Sequence, residues 1–138
     1  MNLKDVFKKF QELSDTLCLL FREIGYDENC DLSAVHYKSN GADDLFIVDQ
    51  FQYILFDLEC VLARLNYLNK PIKAIGVCKF NSNERYELRG VELTSGRIIE
   101  YYDADAGKWV LSTVENVTGS YMVVGSKVPL SSLFVRIR

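Results

Sequence analysis

Only one histidine and two prolines occur among the 138 residues, and no apolar run approaches the roughly 20 residues that span a bilayer. The lone histidine, His36, has one soft ligand near it in sequence, Cys30, and two ligands do not make the tetrahedral set that zinc requires. The four cysteines, at 18, 30, 60 and 78, form no C-x-x-C pair, so neither a disulfide scaffold nor a zinc knuckle is indicated and reduced thiols are expected. A Cys–His nucleophile would need Cys18, Cys60 or Cys78 to meet His36 across the fold with a third group orienting the ring, so the thiols are read as structural or incidental. Gly76, Gly90 and Gly96 lie too far apart to cradle a phosphate and precede no helix. Asp103-Ala104-Asp105-Ala106-Gly107 begins like a calcium loop. The fifth, sixth and twelfth positions counted from Asp103 then hold Gly107, Lys108 and Val114, where calcium needs an oxygen ligand, a glycine and a glutamate. These absences leave no catalytic residue, no metal site and no cofactor, and the chain is read as a non-enzyme.

The opening Met1-Asn2-Leu3-Lys4-Asp5 lacks the basic-then-apolar order of a signal peptide, and the sequon Asn116-Val117-Thr118 would matter only in a secretory compartment. The expectation is a soluble cytoplasmic protein with no membrane partner.

What is present is an ordinary globular balance, 49% hydrophobic and 25% charged, with a net charge of −3. The charge is uneven. Residues 1–72 hold seven Lys/Arg against twelve Asp/Glu, net −5, and the remainder nine against seven, net +2. Neither half is extreme enough to name a polyanion or a membrane surface as partner.

Two helices are expected in a first domain over residues 1–70. Leu3, Phe7, Phe10, Leu17, Phe21 and Ile24 step by fours and threes with Ser14 in the gap, and Val6, Leu13 and Leu20 widen the stripe. Asn2 can cap the start and Gly25 supplies a left-handed end. A second stripe, Ile47, Phe51, Ile54, Leu58, Val61, Leu65 and Leu68, is flanked by Val48, Leu55 and Leu62 and predicts a helix from about Asp43 to Tyr67, stopped by Pro71. Together they form an antiparallel hairpin. The connection 26–42 is long for a hairpin; it is read as a surface loop packed on the helices, with a short strand around Ala34 to Tyr37 or a function of its own as the other readings. Both stripes are wider than one hairpin covers, so the surplus meets either the C-terminal domain or a second copy, which would be a homodimer through the helices.

From residue 71 to 138 the period changes to alternation. Strands are expected at Lys73 to Lys79, Arg85 to Leu88, Arg97 to Tyr102, Lys108 to Val117 and Tyr121 to Val124, then a 3₁₀ turn at Pro129 to Leu133 and a closing strand in which Val135 and Ile137 alternate with Arg136 and Arg138. The fold class is α+β: an N-terminal helical hairpin followed by a small five-stranded β-barrel.

That strand order resembles the Src-homology-3 fold, most closely in Gly107-Lys108-Trp109-Val110-Leu111-Ser112 and in Pro129-Leu130-Ser131-Ser132-Leu133-Phe134-Val135. The resemblance implies that Trp109 and Pro129 line a contact groove. The strand Ala74-Ile75-Gly76-Val77-Cys78 lacks that family's paired tyrosines and Leu133-Phe134 replaces its 3₁₀ tyrosine, which argues against a proline-rich ligand. The whole chain is also similar to a family of small bacterial proteins from Gram-positive hosts and their mobile elements. That likeness lies in Leu65-Asn66-Tyr67-Leu68-Asn69-Lys70-Pro71, Arg85-Tyr86-Glu87-Leu88, Val91-Glu92-Leu93-Thr94-Ser95-Gly96 and Val135-Arg136-Ile137-Arg138, and it implies the architecture without an activity.

The candidate surface is aromatic and basic, Tyr86, Tyr101, Tyr102, Trp109 and Tyr121 with Arg85, Arg89, Arg97 and Lys108 nearby in sequence, and the contact residues chosen are Tyr86, Arg97, Tyr101, Lys108, Trp109 and Pro129. Such rings stack on bases or grip a peptide, while alternate strand positions face a core; Trp109 and Val110 can each be drawn facing inward. The favoured function is a non-enzymatic protein-interaction module, with the hairpin for assembly and the barrel for a protein partner. The alternatives are a nucleic-acid-binding accessory protein of a mobile element and a phage- or plasmid-type inhibitor whose acidic helices mimic nucleic acid.

Overall fold

The computed structural model describes residues 1–27, 31–126 and 128–138. The chain separates into two compact units, Met1–Asn69 and Lys70–Arg138.

The first unit holds α1 (Leu3–Ile24) and α2 (Ala42–Asn69). Local chemistry fixes both ends of α1. The Asn2 side chain accepts the Asp5 amide at 3.0 Å and the Asp5 carboxylate accepts the Asn2 amide at 3.2 Å, a reciprocal capping box. At the other end Gly25 sits at φ 68°, and a Cβ there would lie 2.8 Å from the Ala34 Cβ, so this turn needs glycine both for its backbone angle and for the close return of the chain. α2 begins with Asp43 and Asp44 in its first turn, where the helix dipole favours negative charge, and the Asp44 carboxylate accepts the Lys38 amide at 2.9 Å.

The helices run antiparallel. Gln11 donates to Asn69 at 3.1 Å, Ser14 to Asn66 at 3.4 Å, and Tyr26 to Glu59 at 3.2 Å, so residue numbers rise on one helix as they fall on the other. Ser14 and Leu17 of α1 and Val48, Leu55 and Leu65 of α2 are buried. The inward row of α2 is therefore the flanking one, Val48 and Leu55 with Leu62 half-buried, whereas Ile47, Phe51, Ile54, Val61 and Leu68 of the expected core stripe are exposed. A single neighbouring helix covers only part of an apolar arc this wide.

No strand forms among the described residues of 26–42, so the reading of a strand at Ala34 to Tyr37 is corrected. Turns replace it: the Asp31 carboxylate accepts the Ser33 amide at 2.8 Å and the Val35 amide reaches the Leu32 carbonyl at 2.9 Å. This drives Leu32 and Val35 onto Val48 and Leu55, beside Phe21, Ile24 and Tyr26.

Among its described residues the second unit has eight strands: β1 (Ala74–Val77), β2 (Lys79–Phe80), β3 (Tyr86–Leu88), β4 (Val91–Glu92), β5 (Ile98–Asp103), β6 (Lys108–Val117), β7 (Ser120–Val123) and β8 (Phe134–Ile137), with a 3₁₀ turn at Leu130–Ser132 before the last. All ladders are antiparallel. They form one five-stranded sheet in the order β1-β8-β5-β6-β7 and one three-stranded sheet, β2-β3-β4. The expected five-stranded barrel is thus corrected to two sheets. β1 and β7 are the edges of the larger sheet, and among the described residues no ladder joins them.

The reason for the opening lies in the chain between the sheets. The expected first strand, Lys73 to Lys79, breaks at the buried Cys78, after which β2, β3 and β4 are only two or three residues long and pair among themselves. Packing completes what hydrogen bonding does not. Leu88 and Leu93 from the small sheet and its exit meet Ile99, Val114, Val123, Leu130, Val135 and Ile137 in one cluster, each of these eight at most 2% exposed. Burying each such side chain is worth about 1.5–3 kcal/mol, which holds the two sheets face to face.

Candidate functional site

Register decides which side chains of the larger sheet face outward. β5 pairs Tyr102 with Trp109 and Glu100 with Leu111 on β6, and Glu100 with Arg136 on β8; β8 in turn sets Phe134 opposite Val77 on β1. Because alternate residues share a face, these side chains form rows on one surface, while Tyr101, Val135 and Ile137 point into the core.

At one end of that surface lies an aromatic cluster. The Trp109 ring meets Tyr102 edge to face at 5.5 Å and Phe134 at 5.6 Å, and the Arg136 guanidinium lies 4.3 Å from its centroid. Tyr102 and Phe134 are exposed and Trp109 is half-buried, so the cluster offers rings to solvent on a pre-set platform. Beside it, a depression of 580 Å³ is lined by Tyr102, Asp103, Ser132, Leu133 and Phe134.

The middle of the surface is ionic. Glu100 is only 5% exposed and is held by both Arg136 and Arg138, the latter at 2.7 Å, and Arg138 also donates to the Lys70 carbonyl at 3.0 Å. Burial by itself raises the Glu100 carboxyl; the hydrogen bonds from Arg138 and Arg136, with their charges, outweigh it and hold the carboxyl below its usual range. Both arginines are thereby engaged by one carboxylate, and the trio keeps a net charge of +1. On the small sheet, Glu92 accepts from Asn83 at 2.8 Å, Asn81 at 3.0 Å and Arg85 at 3.1 Å, which pull its carboxyl down and engage Arg85 in turn. The Arg89 side chain donates to the Ile75 carbonyl at 3.0 Å.

The residues singled out in the sequence are separated by this register. Trp109 is on the outer face, and Val110 packs against the core. Tyr101 is 8% exposed and belongs to the core, because its neighbour Tyr102 takes the outward position of the alternation. Tyr86 joins the core rim, edge to face with Phe80 at 5.2 Å and Tyr121 at 6.0 Å. Lys108 is exposed beside Asp103 at one end of the β5–β6 hairpin, and Arg97 precedes Ile98 at the other, roughly 20 Å away along the strand. Pro129 is exposed at the start of the 3₁₀ turn. Phe134, Glu100 and Arg136 were not among the candidates, although the alternation of Val135 and Ile137 with Arg136 and Arg138 already carries the outward phase of β8.

The helical unit presents a second surface. A groove of 560 Å³ runs along it, lined by Leu20 and Ile24 of α1, Leu32 of the connection and Ile47, Phe51 and Ile54 of α2, with His36 and Asp44 among its other lining residues. Cys30, the other half of the sequence's candidate ligand pair, lies outside the described residues. Among the described residues no group of three or more His, Cys, Asp or Glu is arranged to hold a metal ion, and no helix is long and apolar enough to cross a membrane. Cys18 and Cys60 are exposed and Cys78 is buried; burial pushes the Cys78 thiol up to about 11, so it stays protonated and a poor nucleophile at neutral pH.

No protein-family model, no curated protein and no solved structure matches this chain.

Proposed function

We propose that the chain is a non-enzymatic, cytoplasmic protein-interaction module: its hairpin serves assembly, and the outer face of its larger sheet around Trp109 grips a protein partner. The observation that supports this is the quantity of large apolar side chain in contact with solvent on both units, from Phe51 and Ile54 on α2 to Leu111 and Phe134 on the sheet, each about half exposed. Contiguous apolar patches above a few hundred Å² are rare on monomeric proteins and mark interaction surfaces. On the sheet, aromatic rings beside an internally neutralised carboxylate suit a protein contact, in which a Trp is a frequent anchor. The nucleic-acid reading draws less support, since Arg85, Arg136 and Arg138 are engaged by carboxylates and Arg97 and Lys108 stand at opposite ends of one hairpin.

The test is a native pull-down with the wild-type chain, Trp109→Ala and Lys108→Ala, each checked for an unchanged circular-dichroism spectrum. The expected outcome is a partner whose affinity drops tenfold or more with Trp109→Ala and is retained with Lys108→Ala, with little dependence on salt. Equal recovery by Trp109→Ala would remove the sheet from the proposal. Binding that collapses between low and moderate salt would move the reading to nucleic acid.

A further inference from the structure

α2 carries a heptad seam that the described residues of its own unit leave exposed. Ile47, Ile54, Val61 and Leu68 recur every seven residues, with Phe51, Leu58 and Leu65 interleaved, so apolar positions alternate by fours and threes through the helix. The first four are 46%, 51%, 43% and 44% exposed, and Phe51 is 52% exposed. α1 repeats the device, with Val6, Leu13 and Leu20 also seven apart. Leu20 and Ile24 line the same groove as Ile47, Phe51 and Ile54, which places the two rows on one side of the hairpin. A strict seven-residue period is what a helix needs to stay in contact with another helix along its length.

The composition of that face points to the occupant. None of the seam residues is charged, so two acidic hairpins can approach there without facing like charges. At the margin of the seam stand Asp57 and Arg64, seven residues apart, both exposed and, among the described residues, neither in an ion pair within the chain. An antiparallel crossing of two α2 helices about a two-fold axis near Val61 sets Asp57 of one copy beside Arg64 of the other, and does so twice. The area also suffices. Phe51, Ile47, Ile54, Val61, Leu68, Leu13 and Leu20 together expose on the order of 600 Å², the lower end of the roughly 600–1,000 Å² per partner that standard interfaces bury.

We infer that the hairpin face formed by the Ile47–Ile54–Val61–Leu68 row of α2 and the Leu13–Leu20 row of α1 binds a second copy of this chain, closing an antiparallel four-helix bundle. This rests on the reading of the hairpin as an assembly surface and names what it assembles with. Helices of two hairpins then pack ridge into groove at the shallow crossing angle of such bundles, and the rows left bare in one copy become its core.

The experiment is light scattering on the full-length chain over a hundredfold range of concentration, with Val61→Glu, Asp57→Arg and the double reversal Asp57→Arg/Arg64→Asp. The expected mass is twice the 15.8 kDa of one chain. Val61→Glu, at an exposed position that leaves the helical circular-dichroism signal unchanged, raises the dissociation constant by about a hundredfold or more. Asp57→Arg raises it by about threefold to tenfold, and the double reversal restores it. A wild-type chain that stays monomeric, or a dimer indifferent to Val61→Glu, overturns the inference; a dimer that responds to Val61→Glu but not to the charge reversals overturns the antiparallel register. The Trp109 pull-down is independent of this result. A monomer that keeps a Trp109-dependent partner ends the self-association and leaves the interaction module standing, whereas loss of both ends the module.

Discussion

The two units solve the same problem, burying apolar residues in fewer than 70 positions each, to different degrees. In the sheet unit eight side chains are at most 2% exposed, drawn from both sheets and the 3₁₀ turn, while among the described residues of the helical unit no apolar side chain falls below 5%. The sheets reach this because their two layers face each other across a common cluster. The hairpin is a single layer, and a single layer of two helices has no second side on which to hide an arc as wide as that of α2. The difference teaches that apolar content is not burial. α2 has apolar residues on nearly every side and still contributes only Val48, Leu55 and Leu65 to the buried set.

The sharpest way to break this contrast is a matched pair of truncations. Ile99→Ala in the sheet core should cost about 2–5 kcal/mol in urea unfolding, from lost transfer energy and a residual cavity. Ile54→Ala on α2 should change the unfolding of the isolated monomer by no more than about 0.5 kcal/mol. Equal costs would mean that the hairpin face is covered.

An intermediate effect is expected at Gly25→Ala. The residue sits at φ 68° and its new methyl would meet the Ala34 Cβ at 2.8 Å, so the connection 31–37 must shift away from Val48 and Leu55. A loss above about 1 kcal/mol is expected from backbone strain alone. A neutral result would show that the packed connection contributes nothing to the hairpin.

The smallest effect concerns pH. The Glu100 carboxyl is lowered from 4.5 in the folded protein, so the unfolded chain binds more protons in acid. Its contribution is complete above the unfolded value, about pH 4.5, and is lost as pH falls through the lowered folded value. Thermal melts should therefore decline below about pH 4.5 more steeply for the wild type than for Glu100→Gln. Parallel curves would contradict the role given to Arg136 and Arg138.

How much of this was legible in the sequence differs between the units for the same reason. α1 announces itself through its three-four spacing and its two caps, Asn2 and Gly25. α2 is equally evident as a helix, yet its inward face is not, because the rows beginning at Ile47 and at Val48 are both apolar and carry no contrast from which to read a phase. In the sheet unit, β5, β6 and β8 follow from alternation, while the two-residue strands β2 and β4 are too short to show a period. The candidate surface was half visible. Trp109 was found, and so was the choice it shared with Val110, but only the pairing of Tyr102 with Trp109 and of Glu100 with Arg136 fixes which of two adjacent residues faces out.

The most direct test of the contrast is amide hydrogen exchange of the full chain at low and high protein concentration. If the hairpin core is completed by a second copy, protection of the α2 amides across Ile54 to Leu68 rises with concentration by mass action, while that of β5, β6 and β8 does not change. Protection of α2 that is independent of concentration, or that rises equally in both units, would contradict it.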